Sequence, residues 1–196
     1  MSLPPPAPRE HLHTRTVSYR GYAREDGLWD IEGELVDAKT YPVAMYERGQ
    51  LPPGEPVHHM VVRVTVDDEF VVRAVATSMD DTPLDECQLA VPPMAGLAGA
   101  RLGPGWRQAV ERVLGGTRGC AHLRELMFNL ATAAYQTIPS GLQRRRGIQG
   151  PPGAEQTTTP PFHLGRCIAW DIDGDPVRRY YTHWAGWAPL RRVDKA

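Results

Sequence analysis

The chain contains no apolar run approaching the ~18 residues that a membrane-spanning helix requires, so insertion into a bilayer is not expected. It also lacks an excess of either charge. Against 22 Lys and Arg stand 23 Asp and Glu, a net charge of −1, which leaves no electrostatic footprint for gripping phosphate backbones. Nucleic acid is therefore not an expected partner. The one basic run, Arg144-Arg145-Arg146, lies in a Gly- and Pro-rich stretch and reads as a solvated linker. Cysteine is scarce. Cys87, Cys120 and Cys167 are too few and too scattered for a disulfide framework. The N-terminal MSLPPPAPREHLH has no apolar core of a secretory signal. Together these features imply a cytoplasmic chain with reduced thiols. No internal repeat stands out.

What is present suits one globular domain with appendages. Of 196 residues 41% are hydrophobic, enough for a core, while 19 Pro and 19 Gly imply much irregular backbone. Residues 1–12 read as a flexible Pro-rich arm. Period-two patterning follows. Val17 and Tyr19 share one face and Ser18 and Arg20 the other, and Asp26-Gly27 is a hairpin signal. Beyond it Trp29, Ile31 and Leu35 alternate with Asp30, Glu32 and Glu34. Residues 37–57 read as a long loop. Val62, Val64 and Val66, then Phe70, Val72 and Ala74, supply two further strands.

At Thr82 the period changes. Thr82-Pro83-Leu84-Asp85 predicts an N-cap and first turn of a helix. Met94, Leu97, Ala98 and Leu102 recur at helical spacing. Trp106, Val110 and Val113 mark a helix stopped by Gly115-Gly116, and one from Cys120 through Leu123, Leu126, Leu130 and Ala134 should end at Pro139. Strands followed by helices predict an α+β fold, an antiparallel meander of three to four strands with helices on one face. The main domain is expected over 13–138, a flexible linker over 139–161, and a C-terminal aromatic hairpin tail over 162–196.

Several motifs dissolve on counting. DIDGD at 171–175 places Pro176 and Thr182 where a calcium loop needs glycine and glutamate, so a turn at Asp173-Gly174 is preferred. GLAGARLGPG at 96–105 lacks the lysine of a phosphate-binding loop. Asp30, Glu32 and Glu34 read as a solvent-facing strand surface rather than an acid–base pair. His58 and His59 point to opposite faces of a strand and cannot both serve one metal.

Cys120 and His122 carry the most chemical content. A thiol at a helix start lies among unpaired amides that favour the thiolate, the form that attacks or ligates. Three fates stay open: a packed thiol continuing the Leu123–Leu126–Leu130 stripe, a metal or cluster ligand, and a nucleophile. With no CxxC present, a metal centre needs long-range convergence of Cys87, Cys120 and Cys167 with His122 or His163. For a thiol hydrolase no aspartate or asparagine is marked out to orient His122.

The segments HTRTVSYRGYAREDGLWDIEGELVDAKTY, LPPGEPVHHM, RLGPGW and LGGTRGCAHLREL together resemble family 2889 of the bacterial domains of unknown function, over residues 13 to about 138. That resemblance implies no particular activity. More remotely, a sheet followed by helices, with one cysteine after the last main strand and another opening a later helix, is similar to the NifU/IscU and SufE class of iron–sulfur scaffold and sulfur-acceptor proteins. This similarity implies that Cys87 and Cys120 match the second and third scaffold cysteines, with zinc or an iron–sulfur cluster as candidate cofactor. The first scaffold cysteine has no counterpart in 37–57, and His122 follows its cysteine where the scaffold histidine precedes it. The expectation is an accessory protein rather than an enzyme, with a thiol enzyme as the weaker option, and a metal, iron–sulfur or sulfur-handling site at Cys120, Cys87, His122 and Cys167. The alternative is a non-catalytic interaction or assembly subunit that clasps a larger protein partner through its aromatic tail and Pro-rich arm.

Overall fold

A computed structural model describes residues 3–149 and 159–187. The chain divides into two units, 1–141 and 142–196. The first is α+β. Strands β1 (His13–Ala23), β2 (Trp29–Lys39), β5 (Pro56–Val66) and β6 (Val72–Asp81) form one antiparallel sheet in the order β1-β2-β5-β6. The meander is interrupted between β2 and β5 by a small separate hairpin, β3 (Val43–Met45) with β4 (Gly49–Leu51), inside the expected long loop. Two main helices follow, α1 (Trp106–Leu114) and α2 (Ala121–Arg145).

The β1–β2 hairpin turns where the sequence says. Gly27 has φ +87°, a conformation costly for a side chain, and the Asp26 carboxylate accepts the Leu28 N–H at 3.2 Å. The alternation then decides which face is covered. Trp29, Ile31, Leu35, Met60, Val62 and Val64 are buried, whereas the opposite face is a ladder of charge: Arg63 on Glu32, Arg20 and His59 on Glu34, Thr65 and Arg24 on Asp30. The three strand carboxylates are thus ion-paired or hydrogen-bonded on the polar side, and His58 and His59 do point apart.

Helix α2 covers the apolar face. Leu123, Leu126, Met127, Leu130, Ala134 and Ile138 recur every three or four residues and are buried, which is why this segment is a helix and why it lies down on the sheet. Its first turns reach the Arg15 end of β1, where Arg15 contacts Glu125, and Tyr19 donates a hydrogen bond to the Leu126 carbonyl at 3.0 Å. Farther along, Thr137 presses on Gly21 so closely that a Cβ there would collide with it. The Thr137 hydroxyl donates to the Ala133 carbonyl at 2.9 Å, which fixes its rotamer. Gly21→Ala is therefore expected to cost about 1–3 kcal/mol, read as a lower denaturant midpoint. An unchanged midpoint would mean that helix and strand separate at no cost.

Three expectations about elements need correction. No helix starts at Thr82. The chain makes 3-10 turns over Asp85–Ala90 and Pro92–Leu97 instead, and the residue before the first of them is Leu84, without a side-chain cap. Pro92 and Pro93, which lack N–H donors, prevent the two turns from merging into one α-helix. Second, Pro139 does not end α2, which continues to Arg145. The segment expected as a linker from 139 is helical at its start, and its residues 150–158 lie outside the described residues. Third, the C-terminal hairpin is absent among the described residues. Ile168–Trp170 and Thr182–Trp184 are 3-10 turns, and Asp175–Tyr180 is a short helix, α3, with proline in its first turn. Pro176 presets helical φ just after Gly174 and cannot donate to a ladder. The second unit buries its own aromatics: Tyr181 and Trp184 pack with Leu164 and Val177, flanked by Trp170 and Ile172.

Candidate functional site

The polar exception to the covered sheet face is at one end. The side chains of β2 that point to the helix side are Trp29, Ile31, Leu35 and then Asp37, whose side chain is 5% exposed. In the ladder Asp37 stands between Arg15 of β1 and His58 of β5. A register shift between Asp37 and Ala38 follows immediately. Such a bulge bends the strand and re-aims its side chains.

Asp37 is heavily bound. Arg15 donates through Nε to Oδ1 and through Nη2 to Oδ2, both at 2.8 Å, and His13 Nε2 donates to Oδ1 at 2.9 Å. Burial alone would raise this carboxyl, but the Arg15 and His13 hydrogen bonds outweigh it and bring its pKa down to about 2. Oδ2 faces two imidazoles. His58 Nδ1 is 3.2 Å away and His122 Nε2 is 3.8 Å away. The two rings lie 4.1 Å apart between centroids, tilted by 38°. His58 Nδ1 is buried and makes no hydrogen bond despite its closeness to Asp37. Burial, then the neighbouring His122, hold the His58 pKa below its ordinary value.

The other side of His122 meets Cys120. Its Nδ1 is 3.8 Å from Cys120 Sγ. The Cys120 carbonyl accepts the N–H of Arg124 at 3.0 Å, which makes Cys120 the residue that caps α2. Burial pushes the thiol up, but the His122 hydrogen bond and the Leu123 and His122 amides outweigh it and leave it below the ordinary value. The Cys120 hydrogen bond raises the His122 imidazole in turn, against its burial. The helix start thus does to this thiol what the sequence predicts. Although the residues two apart would diverge inside a helix, Cys120 is still non-helical and the pair converges.

Cys87 sits on the 3-10 turn Asp85–Ala90, which Gln88 pins to β6 by donating to the Met79 carbonyl at 2.7 Å. Cys87 and Cys120 line the same cleft of about 320 Å³, with Glu86, Leu89, Thr117 and Arg118 around them. Cys167 is exposed and belongs to the second unit, as does His163, whose ring packs on Trp170 and Tyr181. Of the four candidate ligands, Cys120 and His122 are in contact and Cys87 shares the cleft of Cys120. Sequence reasoning missed Asp37, His58, Arg15 and His13. One signal was available: Asp37 continues the period of Trp29, Ile31 and Leu35, so it is an acid on an apolar face.

The arrangement offers two chemistries. A capped, half-buried thiol beside an imidazole is a nucleophile or sulfur acceptor. Two imidazoles and a carboxylate are a ligand set for one metal ion. An iron–sulfur cluster is held mainly by thiolates, whereas the donors that converge with His122 Nε2 are the Asp37 oxygen and the His58 nitrogen. No helix among the described residues is long and apolar enough to cross a membrane. No curated protein and no solved structure matches the chain. One family pattern does, over residues 13–136, which include every residue of this cluster. The chain therefore belongs to the family described as "Protein of unknown function (DUF2889)".

Proposed function

We propose that the protein is an accessory protein that handles sulfur through Cys120. The observation that carries this reading is the contact of Cys120 Sγ with His122 Nδ1 at the capped start of α2, opening on a cleft that also holds Cys87. His122 keeps the thiol in its reactive form, and Asp37 lies against the far nitrogen of the same ring. In the step proposed, the Cys120 thiolate attacks the outer sulfur of a persulfide donor. The donor's S–S bond breaks, the donor leaves as a thiolate, and Cys120 carries the persulfide. Arg118 and Thr117 offer polar contacts to a small donor in the cleft.

Incubation with a low-molecular-weight persulfide, followed by peptide mass spectrometry, tests this. One added sulfur atom is expected on the Cys120 peptide of the wild type, of Cys87→Ser and of Cys167→Ser, and none in Cys120→Ser. His122→Gln should slow the uptake about ten-fold or more, because it removes the imidazole N–H that holds Cys120 as the thiolate. Equal sulfur on all three cysteines would show Cys120 to be an ordinary thiol and would end the reading.

A further inference from the structure

We propose that Asp37, His58 and His122 form a binding site for a single divalent first-row transition metal ion. One donor atom from each lies within 4.8 Å of the other two. Donors about 2.0–2.1 Å from a tetrahedral ion stand about 3.3 Å apart. The observed separations from Asp37 Oδ2 are 3.2 Å to His58 and 3.8 Å to His122, and the two histidine donors lie within 4.8 Å of each other, so the site closes on an ion by contraction of the His122 side.

His58 Nδ1 is the second observation. It is buried and aimed at this space, and its 3.2 Å approach to Asp37 Oδ2 does not have hydrogen-bond geometry. A buried ring nitrogen held only by that contact gains a full partner when an ion sits between the three donors. Cys120 completes the arrangement from behind. With Nδ1–H of His122 donating to the Cys120 sulfur, Nε2 carries the free lone pair and points at Asp37 and His58, the tautomer a metal ligand needs. Cys120 is then a positioning residue for the ion and not a ligand.

The surroundings select the class of ion. Arg15 already neutralises Asp37 through two hydrogen bonds and His13 adds a third. A hard cation such as magnesium or calcium relies on carboxylate charge and six or more oxygens, and here it finds one shared carboxylate. An ion that favours imidazole, such as zinc(II), iron(II) or cobalt(II), draws on the two nitrogens instead. The site goes beyond the sulfur-handling reading and holds whether or not Cys120 takes up sulfur.

Titration of the chelator-stripped full-length protein with cobalt(II), followed by its visible absorption, and with zinc(II), followed by calorimetry, tests the site. One ion per chain is expected, with affinity reduced ten-fold or more in His58→Gln and in His122→Gln. Binding should survive in Cys87→Ser and Cys167→Ser, and magnesium should not compete. Zinc should raise the melting temperature of the wild type and not of His58→Gln, whose circular dichroism should match the wild type. Absence of saturable binding would overturn the proposal. So would binding that His58→Gln leaves intact and Cys87→Ser removes, which would place the ion in the thiol cleft.

Discussion

Trp106→Ala is expected to lower unfolding stability by about 3–5 kcal/mol, the usual cost of truncating a large buried aromatic. Trp106 opens α1, is 2% exposed and donates its indole N–H to the Met127 carbonyl at 2.8 Å, so one side chain joins the two main helices. Removing it creates a cavity beside Met127 and breaks that link. Domains of this size have about 5–15 kcal/mol in total, so a fifth or more of the stability is at stake. Chemical denaturation followed by far-ultraviolet circular dichroism measures it. Trp187→Ala, at a partly exposed position, is the control and should shift by about 0.5 kcal/mol or less. Equal effects from the two variants would mean that α1 is not anchored through Trp106.

The second large effect concerns acid. The folded pKa of Asp37 is about 2, against an ordinary value of 3.8. Because it is depressed, folding favours the ionised carboxylate. The stabilisation is complete above the ordinary value and is lost as the pH falls through about 4 to 2. A gap of nearly two units corresponds to about 2–3 kcal/mol. Denaturation midpoints of the wild type should therefore fall steeply over that range, and Asp37→Asn should be less stable than wild type at pH 7 and show a shallower decline. Parallel pH profiles for the two proteins would mean that the Arg15–Asp37 pair contributes nothing to folding.

The sheet was legible because each strand alternates cleanly. One period-two pattern decided the buried face of β2 and β5 and put the carboxylates Asp30, Glu32 and Glu34 on the polar side. The main helices were legible from Trp106–Val110–Val113 and Leu123–Leu126–Leu130. Local rules failed where local signals were strong but tertiary packing decided. Pro139 is a helix breaker in isolation, yet Ile138 before it is fully buried and α2 runs on. Asp173-Gly174 reads as a hairpin turn, yet α3 starts at Asp175 with Pro176 in its first turn. The candidate site was half legible. Cys120 and His122 are neighbours in sequence, and a helix start is a local signal. Arg15, Asp37 and His58 come from three strands, and their meeting depends on cross-strand register, which no single stretch of sequence specifies.

The irregular ladder at this end of the sheet has one more consequence. The register shifts on β2 between Asp37 and Ala38, and again on β5 and β6 between His59 and Met60. Both breaks flank the ligand cluster, while Val62 and Val64 continue an unbroken ladder beside it. A ladder opens most readily where its bonds are interrupted. The cluster therefore stands at the border between a core that opens only when the whole domain unfolds and a strand end that can open by itself. On the proposed readings, backbone motion at that end would admit an ion or a donor molecule without loosening the valines that hold the sheet together.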